Sequence, residues 1–146
     1  MNHNTVSSAI PNRILYSMIR VTNLERSINF YENTMGMRIL RREDFSEGRF
    51  TLVFLGYGEE STDSVLELTY NWDENTYQHG NSYGHLALQV KDIYAASQRL
   101  EQMDVKITRQ SGPMNFAVDE TGHTEVIAFI EDPDGYKIEL IESKFY

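Results

Sequence analysis

Glu131-Asp132-Pro133-Asp134-Gly135-Tyr136-Lys137-Ile138-Glu139-Leu140-Ile141-Glu142 reads as a strand end, a tight turn and an apolar strand. Pro133 and Gly135 supply the turn geometry. In the strand, Ile138, Leu140 and Ile141 surround a single carboxylate, Glu139. Alternation along a strand places Ile138 and Leu140 on one face and Glu139 with Ile141 on the other. A lone ionised carboxylate among apolar neighbours is costly unless a cation meets it. What meets Glu139 is therefore the question the stretch poses.

The answer begins with a second copy. Val65-Leu66-Glu67-Leu68 lines up with Lys137-Ile138-Glu139-Leu140. The segments before them repeat as well. Ile14 to Val21 is a predicted strand. Leu24, Ile28, Tyr31 and Met35 follow at helical spacing, with Gly36 closing the helix and Thr22 to Glu25 spaced as a capping box. Strands are expected at 37–41, 50–55 and 64–70. Then the order restarts, with a strand at 83–90, a helix capped by Asp92, and strands at 105–109, 125–131 and 136–142. The fold class is therefore α+β, two repeated βαβββ modules. Module one spans 13–72 and module two 83–143, within one domain over 13–146. Residues 1–12 form a loose tail.

The repeat aligns four positions. Tyr16 stands five residues before Val21, as His85 stands five before Val90. Tyr16 and Glu67 lie 51 positions apart, and His85 and Glu139 lie 54 apart. A pseudo-two-fold relating the modules brings Tyr16, Glu67, His85 and Glu139 inward together. Two carboxylates and an imidazole suit a divalent cation such as Zn²⁺, Ni²⁺ or Co²⁺. The other reading pairs each glutamate with a Lys or Arg and leaves His85 as a hydrogen-bonded core residue. Arg20 shares the strand face of Tyr16 and points a guanidinium fork, suited to a carboxylate, into the same cavity.

Composition excludes several classes. The chain has 146 residues, 40% hydrophobic and 24% charged, which suffices for one cored domain. It contains no cysteine, so disulfides, thiolate metal sites and a thiol nucleophile are ruled out. No apolar run reaches membrane-spanning length and no signal peptide opens the chain, so a cytoplasmic protein without a membrane partner is expected. A net charge of −9 argues against nucleic acid as a partner. The polar stretch 111–123, containing His123, is long for a compact domain and reads as a lid over the site.

Several blocks carry a resemblance. They are Met18-Ile19-Arg20-Val21, Arg26-Ser27-Ile28-Asn29-Phe30-Tyr31, Met35-Gly36-Met37, Phe54-Leu55-Gly56-Tyr57-Gly58, Glu67-Leu68-Thr69-Tyr70-Asn71-Trp72, Tyr83-Gly84-His85 and the stretch quoted first. From about Arg13 to Glu142 the chain resembles the glyoxalase I (lactoylglutathione lyase) family of short bacterial type, in the vicinal oxygen chelate superfamily. The resemblance implies a homodimer with metal ligands from both chains. Glu67, His85 and Glu139 match three ligand positions. Tyr16 stands where the family has His or Gln; it ligates as a phenolate, which the ordinary phenol pKa near 10 opposes, hydrogen-bonds a metal-bound water, or leaves a three-ligand site of weaker affinity. The resemblance also implies isomerisation of the methylglyoxal–glutathione hemithioacetal to S-lactoylglutathione, with glutathione as co-substrate and nickel preferred over zinc or cobalt. Glu139 takes the role of catalytic base, Glu67 that of second acid/base. Arg20, Asn71 and Arg109 match glutathione contacts; without the resemblance, surface salt bridges for the arginines and a turn amide for Asn71 are the stronger reading. The alternative is a non-catalytic or diverged ligand-binding protein on this scaffold that has lost metal or turnover at Tyr16.

Overall fold

The computed structural model describes residues 7–143. Of the expected tail, residues 1–6 lie outside the described residues, and residues 7–12 are exposed. Module one runs β1 (Tyr16–Arg20), α1 (Leu24–Asn29), β2 (Arg38–Phe45), β3 (Phe50–Gly56) and β4 (Val65–Asn71). Module two runs β5 (Leu86–Gln89), α2 (Ile93–Gln102), β6 (Ile107–Pro113), β7 (Val126–Glu131) and β8 (Lys137–Glu142). Each module forms a four-stranded sheet of the same order, β1-β4-β3-β2 and β5-β8-β7-β6. In both, the first strand pairs parallel with the last, and the others pair antiparallel. The expected double βαβββ architecture is present.

Strand alternation sorts each sheet into two faces. One face of the first sheet, with Val53, Leu55, Leu66 and Leu68, packs against Leu24, Ile28 and Tyr31 of the α1 segment. The same apolar cluster takes in Ile93, Leu100, Ile138 and Leu140 of module two, so the modules share one core. The opposite faces carry Tyr16, Met18 and Glu67 in one sheet and Ala87, Phe129 and Glu139 in the other.

Element ends differ from the sequence expectation where tertiary partners intervene. Asn23, not Thr22, caps α1, its Oδ1 accepting from the Arg26 amide at 3.1 Å. Thr22 is drawn away by module two: its Oγ1 and amide donate to Asp134 Oδ1 at 2.5 and 3.2 Å. The expected cap at Asp92 forms, accepting from Ala95 N at 3.0 Å. Past α1 the backbone widens into a π-helical turn over Phe30–Thr34, closed by Met35 N donating to Phe30 O at 2.9 Å. Gly36 then reverses the chain at φ +76°, a conformation open to glycine. The strand expected at 37–41 extends to Phe45, because Phe45 stacks on Phe50 and Thr51 Oγ1 donates to Asp44 Oδ1 at 2.7 Å.

The turn quoted at the outset joins the modules. Asp132, 5% exposed, accepts from Tyr31 OH at 2.7 Å through Oδ2, and from the amides of Asp134 and Tyr136 at 2.9 Å through Oδ1. Asp134 accepts from Thr22, Ser27 and Arg26. Tyr136 OH donates to Arg20 O at 2.8 Å, and Arg99 of α2 donates to Thr34 O and Asn33 O at 2.7 and 3.0 Å. These bonds satisfy chain-end carbonyls and buried hydroxyls across the module boundary.

Burial raises the Asp132 carboxyl above its ordinary 3.8, against the opposing pull of its hydrogen bonds, and burial beside Asp132 pushes the Tyr31 phenol upward. A raised folded-state value means that the folded chain holds this proton more tightly than the unfolded chain. The contribution to stability is complete below 3.8 and is withdrawn as pH rises through the raised value. Asp132→Asn keeps the shape but cannot ionise. Its stability relative to wild type should therefore climb as pH rises from 3.8 through the raised value and level off above it, as read by urea midpoints across pH. A pH-independent difference would show that the raised carboxyl has no such linkage.

Candidate active site

Register places the four aligned residues on the faces turned away from the helices. Tyr16 pairs with Val65 and Met18 with Glu67, so Tyr16 and Glu67 share a face. Glu67 in turn lies opposite Phe54 on β3. In module two, Glu139 lies opposite Ala87 on β5 and Phe129 on β7, and His85 lies on the same face two residues before Ala87. His85 Nε2 sits 3.3 Å from Glu139 Oε1. His85 just precedes β5 and is exposed, while Glu139 is half-buried.

The structure adds a feature that sequence reading missed. The residue opposite each glutamate is a phenylalanine, and each packs edge-on against the residue that partners the glutamate. Tyr16 meets Phe54 at 5.4 Å and 81°, and His85 meets Phe129 at 5.1 Å and 84°. Arg41 lies 3.6 Å over the Phe54 ring and is held by Glu60 and Glu43. The internal repeat contained this signal, because Phe54 and Phe129 occupy equivalent third-strand positions. Edge-to-face contact fixes ring orientation, so the His85 imidazole is braced with Nε2 toward Glu139.

A single chain does not gather all four residues. Among the described residues, no three His, Asp or Glu side chains come close enough to hold a metal ion. The inward convergence expected from the pseudo-two-fold is therefore divided into two half-sites, Tyr16 with Glu67 and His85 with Glu139. The physical reason is the shared core, which uses the helix-covered faces to join the modules and leaves the other two faces apart. Both halves fit a divalent cation in donor chemistry. Glu67 is only 6% exposed, yet its one hydrogen-bond partner among the described residues is Thr69, whose hydroxyl donates at 3.3 Å, and it makes no ion pair there. A buried carboxylate without a cation is the situation a metal relieves. Tyr16 is the weak corner: 45% exposed, with a ring contact to Phe54 as its one side-chain partner among the described residues.

The expected substrate residues divide. Arg20 is exposed and its guanidinium has no hydrogen-bond or ion-pair partner among the described residues. Asn71 Nδ2 donates to Tyr77 OH at 3.0 Å, an interaction the sequence did not announce. Arg109 is otherwise engaged. It donates to the carbonyls of Gln110, Gly112, Pro113 and Ile127 at 2.6–3.0 Å. The β6–β7 register shifts between Arg109 and Gly112, and the guanidinium bridges the backbone on both sides of that irregularity. These bonds tie Arg109 to the irregular part of β6. Arg109→Lys should cost about 2 kcal/mol of folding stability, measured by denaturant titration, with KM unchanged. A raised KM at unaltered stability would return Arg109 to the ligand. His123 lies 3.5 Å from Glu125, which also accepts from Ser143 Oγ at 2.9 Å. The imidazole thus sits at the return of the 114–125 loop, and no third carboxylate or imidazole joins it among the described residues.

The model of the Glyoxalase/Bleomycin resistance protein/Dioxygenase superfamily matches residues 13–140. Lactoylglutathione lyase of Neisseria meningitidis serogroup A is 52% identical over 132 residues, covering 90% of this chain and 91% of that one. Among solved structures, the trypanothione-dependent glyoxalase I of Leishmania major superposes with a TM-score of 0.77 at 44% identity, covering 92% of this chain and 89% of that one. Glyoxalase I from Zea mays superposes with a TM-score of 0.81 at 39% identity, covering 90% of this chain. The present chain spans 44% of the maize chain's length. With repeated modules, a matching glutamate-bearing face in each, and these likenesses over nearly its whole length, the chain belongs to the Glyoxalase/Bleomycin resistance protein/Dioxygenase superfamily and, within it, to the lactoylglutathione lyases.

Proposed function

We propose that the chain isomerises the hemithioacetal of methylglyoxal and glutathione to S-lactoylglutathione, at a site completed by two copies of the chain. The observation that carries this is the division into half-sites. One chain presents Glu67 without a cation and, separately, the His85–Glu139 pair. A second copy set two-fold to the first would bring Glu67 of one chain to His85 and Glu139 of the other. The maize glyoxalase I supports this, since its single chain has more than twice the length matched here.

Glu67, His85 and Glu139 would hold the divalent cation, for which nickel is preferred over zinc or cobalt. When bound, it supplies Lewis acidity that stabilises negative charge developing on the substrate's two adjacent oxygens. The proton work belongs to the chain. Glu139 takes the proton from the carbon bearing sulfur, leaving an enediolate, and the proton returns to the neighbouring carbon. That exchange converts the hydroxyl carbon to a thioester carbonyl and the ketone to a hydroxyl, with no atom gained or lost. The half-buried setting of Glu139 and the braced His85 limit its motion, as a base that must reach a carbon-bound proton requires. Glu67, on the opposite side, serves as the second acid/base. Arg20 and Asn71 bind glutathione, and the 114–125 loop closes over it.

Tyr16 is read as a residue packed beside the cation rather than as a fourth ligand. Its phenol extends beyond an imidazole in the same position, and its ring is held against Phe54. Turnover measured after loading with nickel, cobalt or zinc tests the function. Activity with at least one of them is expected. Tyr16→His should raise metal retention on dialysis at least tenfold, while Tyr16→Phe leaves it unchanged. Absence of turnover with every metal, in wild type and Tyr16→His alike, would favour the second reading, a diverged ligand-binding protein.

A further inference from the structure

The segment linking the two modules shares a cavity with the end of β1. There Arg20, Tyr77, His79, Tyr83 and Tyr136 line a cavity of about 200 Å³. Tyr136 secures the strand edge by donating to Arg20 O at 2.8 Å. His79 stacks on Tyr136 at 4.1 Å and 14°, and Tyr83 meets it edge-on at 5.4 Å. The link is thus packed on module two's turn through His79 and Tyr83 and tied to β4 of module one through Tyr77 and Asn71. Tyr77, half-buried, brings its hydroxyl into this setting. Its oxygen accepts from Asn71 Nδ2 at 3.0 Å, and its own proton has no acceptor among the described residues.

Two donors therefore border one small cavity without partners, the Arg20 guanidinium and the Tyr77 O–H. The volume lies below the range of pockets that take a whole drug-sized ligand, and suits one amino-acid-sized end of a peptide. A carboxylate there would be held by a charge-assisted pair of donors. The Asn71 bond orients the Tyr77 hydroxyl for it, since an oxygen that accepts from Asn71 must turn its proton elsewhere.

We propose that Tyr77 is a substrate-binding residue, donating its hydroxyl proton to the same terminal carboxylate of glutathione that Arg20 binds, so that the inter-module link sets specificity for the thiol. This rests on the reading that Arg20 binds glutathione. It assigns a ligand role to a segment that otherwise connects modules.

The test measures binding of S-methylglutathione, which cannot turn over, to the full-length protein by calorimetry, with steady-state kinetics beside it. Tyr77→Phe keeps the ring and its packing, so the melting temperature should hold. It should weaken S-methylglutathione about fivefold to tenfold and raise KM by a similar factor, with kcat within about twofold because the cavity is a binding end. In an Arg20→Ala background the same exchange should have less than about twofold effect, as shared partners of one carboxylate are non-additive. Unchanged binding in Tyr77→Phe, with Arg20→Ala weakened, overturns the role of Tyr77 alone. So does a full fivefold effect persisting in the Arg20→Ala background. Unchanged binding in Arg20→Ala itself overturns the glutathione reading of Arg20, and the Tyr77 proposal with it.

Discussion

Exchange of Glu139 for glutamine will lower kcat about a thousandfold and leave the folded structure intact. A positioned general base contributes roughly 10²–10⁴ in rate, and a glutamine amide cannot accept the proton. The exchange is nearly isosteric, and the side chain lies on the face away from the helices, 15% exposed. The core residues on either side of it, Ile138 and Leu140, point the other way and are untouched. His85 Nε2, now 3.3 Å from Oε1, retains an oxygen to meet. Metal content measured on the same sample divides the two roles of the carboxylate. Loss of turnover with metal retained assigns the effect to the base, whereas loss of both assigns it to ligation. A kcat within tenfold of wild type would remove Glu139 from the proton transfer altogether.

Asp132→Ala will be the most destabilising single change on the turn, at about 4 kcal/mol. Three donors lose their acceptor together: the Tyr31 hydroxyl at 2.7 Å and the amides of Asp134 and Tyr136 at 2.9 Å. Each buried donor left unpaired costs about 1–3 kcal/mol. Tyr31 is 1% exposed, so water cannot replace the carboxylate at that hydroxyl. Asp132→Asn should cost about 1 kcal/mol, since the amide oxygen still meets both backbone N–H groups and the amide nitrogen can donate to the Tyr31 oxygen. Chemical denaturation of the two variants compares them directly. Equal losses from Ala and Asn would show that the carboxylate's charge, rather than its acceptor geometry, holds the turn. Because the turn ties module two to α1, the alanine variant should also lose cooperativity between the modules, visible as separate hydrogen-exchange protection in each.

These two residues show where sequence reading succeeded and where it stopped. Glu139 was legible because a strand has period two and the chain repeats itself. Once Glu67 and Glu139 occupy equivalent places, their face, their partners Tyr16 and His85, and their shared chemistry follow from alternation. Asp132 stands seven residues away in the same stretch and read only as turn chemistry. Its role depends on Tyr31, 101 positions earlier, and no local periodicity encodes a hydrogen bond of that span. Arg109 is a similar case. Its guanidinium bonds to four backbone carbonyls around the irregularity in β6, contacts that no spacing in the sequence records. Thr22 lost its capping role to Asp134 for the same kind of reason.

By itself the sequence determined the double βαβββ order, the faces of the strands, and the equivalent places of Tyr16 with His85 and of Glu67 with Glu139. Those properties are set by backbone geometry acting over a few residues, and alternation and turn residues record them directly. Only the tertiary structure decided how the donors are grouped. It joined the modules through their helix-covered faces and the Asp132–Asp134 turn, kept Tyr16 and Glu67 apart from His85 and Glu139, and laid Tyr77 beside Arg20. Those choices come from side-chain packing and hydrogen bonds between segments far apart in the chain, where the stabilising partner of a residue has no fixed spacing from it.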